Sequence, residues 1–262
     1  MTSRAEITIS AEAGSDMETN ILEKRMRRWP LYGGGLALLQ AGLLAGCDRT
    51  PEIPAPPPAT NAVSPAAATP APQGPERLIL AFGDSLYAGY GLDRGQSLPD
   101  ALQNRLRKDG VNATIVNAGV SGDTSAAGRQ RFAFALDNMK RKPDLILLGL
   151  GGNDVLRQIS PTETRANMTA MMDEAKRRGI PVMLTGMMAP PNLGPDFGVQ
   201  FNGIWPDLAT RYNATLYPFI LDGVIGKAQL MQADHVHPNR NGVDRIAARV
   251  APVIMTTLRN TE

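Results

Sequence analysis

Residues 78–92 read "LILAFGDSLYAGYGL". An apolar run from Leu78 to Phe82 breaks into Gly83-Asp84-Ser85, and Gly89 and Gly91 follow closely. A short apolar run bounded by small, turn-forming residues is the pattern of a strand buried on both faces. Ser85 then stands where a strand ends and a helix begins, and Gly89 and Gly91 are places where the backbone can bend. A plain turn explains the tripeptide equally well, so a nucleophilic serine requires partners elsewhere in the chain.

The same alternation continues downstream. Strands are expected at Leu78–Phe82, Thr114–Asn117, Asp144–Leu150, Pro181–Met187 and Ala214–Pro218, with helices at 97–109, 124–140, 161–178, 200–211 and 239–258. Runs such as "LILLGL" suit strands covered on both sides. Strands separated by helices of this length imply βαβ crossovers, a parallel sheet and a three-layer α/β/α sandwich. In such sheets ligands gather beyond the carboxyl ends of the strands. Those ends carry Gly83-Asp84-Ser85, Asn117-Ala118-Gly119 and Gly151-Gly152-Asn153-Asp154, and the loop before the last helix reads "DHVHPN", residues 234–239.

Upstream the chain changes character. Residues 51–76 are nearly all Pro, Ala, Ser, Thr and Asn, a composition that cannot offset its ordering entropy by burial, so 48–76 is expected to be an extended linker. Ahead of it, Lys24, Arg25, Arg27 and Arg28 precede an apolar run from Leu31 to Gly46 that ends at Cys47. Basic, apolar, then small is the layout of a secretory signal peptide, for which Met26 would be a compact start. The run is shorter than the roughly 20 residues of a membrane span. The expected organisation is an N-terminal extension with signal peptide at 1–47, the linker at 48–76 and one folded domain at 77–262. Net charge is only +2, and no basic block interleaves with aromatic residues in the folded region, so nucleic acid is not an expected partner.

A serine hydroxyl needs a base, and the chain has only two histidines, His235 and His237. Asp234 lies three residues before His237, a spacing that a turn can close so that the carboxylate orients the imidazole. Asp-His-x-His also suits a metal, but the folded region has no cysteine and no further histidine, so the ligands would have to be carboxylates, and no metal is expected. Donors for a developing oxyanion could be the N–H groups of Ser85 and Gly119 and the side-chain amide of Asn153. Asp84 and Asp123 read as helix caps or loop braces.

Taken together, these blocks resemble the SGNH superfamily of GDSL esterases and lipases, most of all its bacterial thioesterase I / arylesterase branch. "AFGDSLYAGYGL" is similar to the first block, "NAGVSGDTSAAGRQR" to the second, "LLGLGGNDVLR" to the third and "LMQADHVHPNRNG" to the fifth. "MAPPNLGPDFGVQFNGIW" resembles the branch's substrate-cleft loop and the helix after it. The resemblance implies a parallel, flavodoxin-like five-stranded sheet, with Ser85 as nucleophile, Asp234 and His237 completing the triad, and Gly119 and Asn153 in the oxyanion hole. It implies no cofactor, and small carboxylic esters or thioesters (acyl, aryl or lysophospholipid) as substrates. Other branches deacetylate envelope polysaccharide, and a non-catalytic envelope lipoprotein is a third reading. The chain departs from the pattern at Tyr87, where a small hydroxylated residue is usual, and at Val155, Gln158 and His235, where glycine is. Tyr87 and Val155 are expected to narrow the cleft. Separately, Leu44-Ala45-Gly46-Cys47 resembles the lipobox of bacterial lipoproteins, which implies acylation of Cys47 and a periplasmic domain anchored to a membrane; Asp48 resembles an inner-membrane retention signal.

Overall fold

The computed structural model describes residues 72–260. The expectations for residues 1–47, Cys47 included, and for 48–71 lie outside those residues. The end of the expected linker is pinned to the domain: Asn112 donates to the Gly74 carbonyl at 2.8 Å, Thr114 to the Glu76 carboxylate at 2.6 Å and Arg141 to the Glu76 carbonyl at 3.0 Å. Residues 74 and 76, just before the expected start at 77, are thus bonded to the sheet and to the segment before β3.

Among the described residues the strands are β1 (Arg77–Gly83), β2 (Ala113–Gly119), β3 (Leu145–Gly149), β4 (Val182–Thr185) and β5 (Thr215–Tyr217). They form one parallel sheet in the order β2-β1-β3-β4-β5, which is the flavodoxin-like order. The direction in which strands are added reverses at β1, which puts the switch point beyond the carboxyl ends of β1 and β3.

The helices are α1 (Ser85–Ala88), α2 (Leu98–Lys108), α3 (Ser125–Asp137), α4 (Gly152–Leu156), α5 (Pro161–Arg177), α6 (Pro195–Asn202), α7 (Ile204–Tyr212) and α8 (Arg240–Asn260). The helix expected to begin at Ser85 is α1, of four residues; α4 was not foreseen, since its five residues are too few for helical periodicity to register. The single helix expected at 200–211 is two, α6 and α7, meeting at Gly203. Asn202 faces back to the loop after β4 and accepts the Ala189 N–H at 2.8 Å.

Strand alternation sends successive side chains to opposite faces. Ile79 and Ala81 of β1 join Leu102 and Leu106 of α2 and Ile246, Val250 and Ile254 of α8. Leu80 and Phe82 join Phe132 of α3, Met168 and Met172 of α5 and Trp205 of α7. Both faces are thus covered, which is why the strands read as unbroken apolar runs. Each such side chain contributes about 1.5–3 kcal/mol on burial. Helix starts are fixed locally; Ser97 and Asp100 form a reciprocal capping box at α2. A cavity of about 780 Å³ opens at the amino edge of the sheet between Arg77, Lys142, Ile180 and Thr257, far from the serine.

Candidate active site

Ser85 is the first residue of α1, and Asp84 caps that helix by accepting the Leu86 N–H at 3.1 Å. Asp84 is itself buried, and burial pushes its carboxyl up to about 6 against the opposing pull of the Leu86 N–H and the His237 charge. The Ser85 Oγ lies 2.8 Å from His237 Nε2, and His237 Nδ1 lies 2.6 Å from Asp234 Oδ2. The other Asp234 oxygen accepts the N–H groups of Val236 and His237, each at 3.0 Å. Partial burial raises the Asp234 carboxyl, but these donors and the imidazole outweigh it and hold it at about 2. A carboxylate so held stays ionised and keeps the imidazole turned with Nε2 towards the serine.

The loop carrying both groups is closed at its base. Met231 bridges Pro238, the Gln232 N–H donates to the His237 carbonyl at 2.7 Å, and the Gln232 side chain donates to the Tyr90 carbonyl at 2.7 Å. That last bond docks the loop onto the nucleophile segment at Gly91, where a Cβ would stand 2.1 Å from the Gln232 amide oxygen and where φ is +71°. The left-handed backbone favours glycine there, and any side chain would have to displace the Gln232 amide. The Tyr90 ring lies over His237, with centroids 4.6 Å apart and planes tilted by 39°.

His235 sits two residues away and does something else. Its N–H closes a turn to the Gln232 carbonyl at 3.1 Å, its φ is +57°, and its side chain is exposed with no hydrogen bond among the described residues. Gln158 likewise has φ +54°. Both replace a glycine that the resemblance expects, and the left-handed backbone is the physical reason for that glycine.

On the oxyanion side, Asn153 lies in the first turn of α4 and donates its amide to the Asp123 carbonyl at 3.0 Å. Asp154 beside it is fully buried and accepts from the Ser125 N–H at 2.7 Å, from the Ser125 hydroxyl and from Thr164 Oγ1 at 3.0 Å. The first turn of α4 is thereby fixed to α3 and α5. Behind it, the Trp205 ring lies against Gly151.

Gly119 does not fit the role expected of it. Its N–H donates to the Asn117 side chain at 2.9 Å, and the same side chain donates to the Tyr87 carbonyl at 2.8 Å. A donor already engaged by a neighbour that is itself tied down is not free for an oxyanion. Gly122, three residues on, has φ +86°, its carbonyl is held by Arg157 at 2.9 Å, and its N–H has no acceptor among the described residues. The expected narrowing of the cleft is also corrected. Tyr87 is 1% exposed and Val155 7%, so neither side chain lines a cleft; the Tyr87 hydroxyl meets Thr185 Oγ1 at 2.7 Å, and burial pushes its ionisation well above the usual tyrosine range. Asn117, Arg131, Asp154, Arg157 and Gln232 were not singled out by sequence reasoning, since each acts on a residue far along the chain or through a backbone group. Among the described residues no three His, Cys, Asp or Glu side chains converge as a metal site would require.

Comparison with known proteins gives a consistent result. Residues 81–245 match the model of the GDSL-like Lipase/Acylhydrolase family. The chain is 37% identical to Esterase TesA of Pseudomonas aeruginosa over 71% of its own length and 92% of that protein. It is 36% identical to the Arylesterase of Vibrio mimicus, over 72% and 92%. Among solved structures, AlinE4, an SGNH-hydrolase family esterase, shares 50% identity with a TM-score of 0.61, covering 71% of this chain and 98% of that one.

Proposed function

Because this chain belongs to the GDSL-like Lipase/Acylhydrolase family and is a serine ester hydrolase, we propose that Ser85 is its nucleophile, His237 its general base and Asp234 the group that orients the base. The observation that carries the assignment is the continuous hydrogen-bonded chain from Asp234 through His237 to Ser85, at 2.6 and 2.8 Å. Ser85 Oγ attacks the ester carbonyl carbon while His237 Nε2 takes its proton. The carbonyl oxygen becomes an oxyanion, received by the Ser85 N–H, the Asn153 amide and the Gly122 N–H, the last in place of Gly119. His237 then passes its proton to the leaving alkoxide or thiolate and the acyl-enzyme forms. A water deprotonated by His237 attacks the acyl carbon, and as the acyl–Oγ bond breaks His237 returns that proton to Ser85 Oγ and the acid leaves.

The substrate is a small carboxylic ester or thioester with an apolar acyl or aryl part. Exposed apolar side chains flank the reacting groups: Tyr90 on His237, Val236 beside it, and Val120, whose N–H donates to the Gly83 carbonyl at the end of β1. A panel of aryl esters from acetyl to palmitoyl, run beside an acetylated polysaccharide and with a fluorophosphonate probe, tests this. Labelling confined to Ser85 and turnover of the esters are expected. Turnover of the polysaccharide alone would reverse the substrate reading, and full activity in Ser85→Ala would remove the assignment. Upstream of the domain, we read residues 1–47 as an export signal and Cys47 as the lipid anchor of a periplasmic enzyme, on the strength of the basic, apolar and lipobox-like segments. Mass spectrometry of the mature N-terminus should find an acylated Cys47; a cut elsewhere would discard the anchor.

A further inference from the structure

One side chain of α3 joins both strand ends of the catalytic edge to the loop that carries Gly122. Arg131 donates from Nε to Asp123 Oδ2 at 2.6 Å, from one terminal nitrogen to the Ala118 carbonyl at 2.8 Å and from the other to the Gly83 carbonyl at 2.9 Å. Its guanidinium also stacks on Phe82, 3.9 Å from the ring centroid. The Arg131 side chain is 24% exposed and that of Asp123 11%, so the pair is shielded and rigid.

The identity of the acceptors gives the arrangement its meaning. Gly83 is two residues before Ser85, at the end of β1. Ala118 is the penultimate residue of β2, just before the chain turns into the loop 120–124. Asp123 follows Gly122, and its carbonyl receives the Asn153 amide. Asp123 is thus next to Gly122 and bonded to Asn153, and the Gly83 and Ala118 carbonyls belong to the strand ends that lead into Ser85 and into the loop of Gly122, while Arg131 itself packs on Phe82 rather than on reacting atoms. A planar guanidinium presents its donors in fixed directions, so it can set the relative places of three backbone segments at once. A lysine offers a point charge and would keep at most part of this set.

We propose that Arg131 is a positioning residue that fixes the distance between the Ser85 nucleophile and the oxyanion donors at Gly122 and Asn153. The inference rests on the assignment of Ser85, His237 and Asp234 made above. Its effect falls on the transition state, because preorganised donors act where charge develops and a displacement of about 1 Å can cost about 100-fold in rate.

The test measures steady-state hydrolysis of a soluble aryl ester by the full chain carrying Arg131→Lys, Asn153→Ala or both, with thermal melts alongside. Arg131→Lys is expected to lower kcat by about 10- to 100-fold with KM changed by less than about twofold. The double variant is expected to fall only slightly below Asn153→Ala, because the two act through the same donor set. In Arg131→Ala, added guanidinium at millimolar concentration should restore part of kcat, and if that variant fails to fold, Arg131→Lys alone carries the decision. Wild-type kcat in Arg131→Lys, or losses that multiply in the double variant, would overturn the inference and leave Arg131 as a fold residue. Ser85→Ala in the same assay separates the two levels. Activity surviving there removes the underlying assignment; activity lost there but unchanged in Arg131→Lys removes only the inference.

Discussion

Asp154 and Asp234 sit on opposite sides of the same serine and are held by opposite means. Asp154 is completely buried, accepts from Ser125 and Thr164 on two other helices, and anchors the turn that presents Asn153. Asp234 is exposed, and both its oxygens are engaged within its own loop by Val236 and His237. One half of the catalytic edge is therefore a tertiary construction, whose failure would be felt as lost stability. The other is a local turn, whose failure would be felt as lost chemistry.

The comparison breaks most readily at the histidines. His237→Ala is expected to lower kcat by roughly 10⁴- to 10⁶-fold and to abolish fluorophosphonate labelling, whereas His235→Ala keeps most of both. Equal loss in the two, with circular dichroism unchanged, would show the base misassigned. Across the serine, Asn153→Ala should lower kcat by about 10²–10³ with KM little altered, since an oxyanion donor works in the transition state; a change confined to KM would place Asn153 in substrate binding instead.

Stability then tests the contrast directly. Asp154→Ala should destabilise by about 2–4 kcal/mol in urea unfolding, because its buried donors lose their acceptor. Asp234→Ala should cost only about 1 kcal/mol, because the bonds that hold its carboxylate down lie within one solvent-screened loop, while activity collapses. Matching stability losses would erase the distinction between the two halves.

Asp84 sharpens it through pH. Its folded-state carboxyl lies at about 6 against an ordinary 3.8, so between those values the native protein keeps a proton that the unfolded chain has released. Stability from this group is complete below about pH 4 and is lost as pH rises through about 6. Asp84→Asn retains an oxygen for the Leu86 N–H and never ionises. It should be more stable than wild type by about 1–3 kcal/mol at pH 7.5, with the difference vanishing at pH 4. A variant less stable at pH 7.5 would mean that interactions with His237 outweigh burial. The smallest effect expected is at Gln158: Gln158→Gly relieves its left-handed backbone and should stabilise by at most about 1 kcal/mol with kcat unchanged, read as a melting shift of a few degrees.

How much of this was legible follows the same division. The β1 run, the Ser85 turn and the Asp234–His237 spacing each sit inside one short segment, so local pattern reveals them. Gly119 was expected to offer a free N–H; two glycines follow Asn117, one at the end of β2 and one in the loop after it, and no sequence feature says which N–H is taken. The Asn117 side chain decides that by occupying the nearer one. Tyr87 was misplaced for a related reason. Its position directly after the nucleophile turn suggests the cleft, but two glycines, Gly83 and Gly149, leave room for its ring beneath the strand ends, and Gly119 leaves room for its backbone.

By itself the sequence determined the parallel α/β layering, the serine at a strand end, and Asp234 three residues before His237, because periodicity and short spacing are fixed by the geometry of a single segment. Tertiary structure alone decided which backbone N–H groups are taken and which stand free in the loop after β2, and which arginine ties the ends of β1 and β2 to Asp123. Those outcomes depend on hydrogen-bond partners from separate strands and helices, and an N–H becomes available only when no other segment has already taken it.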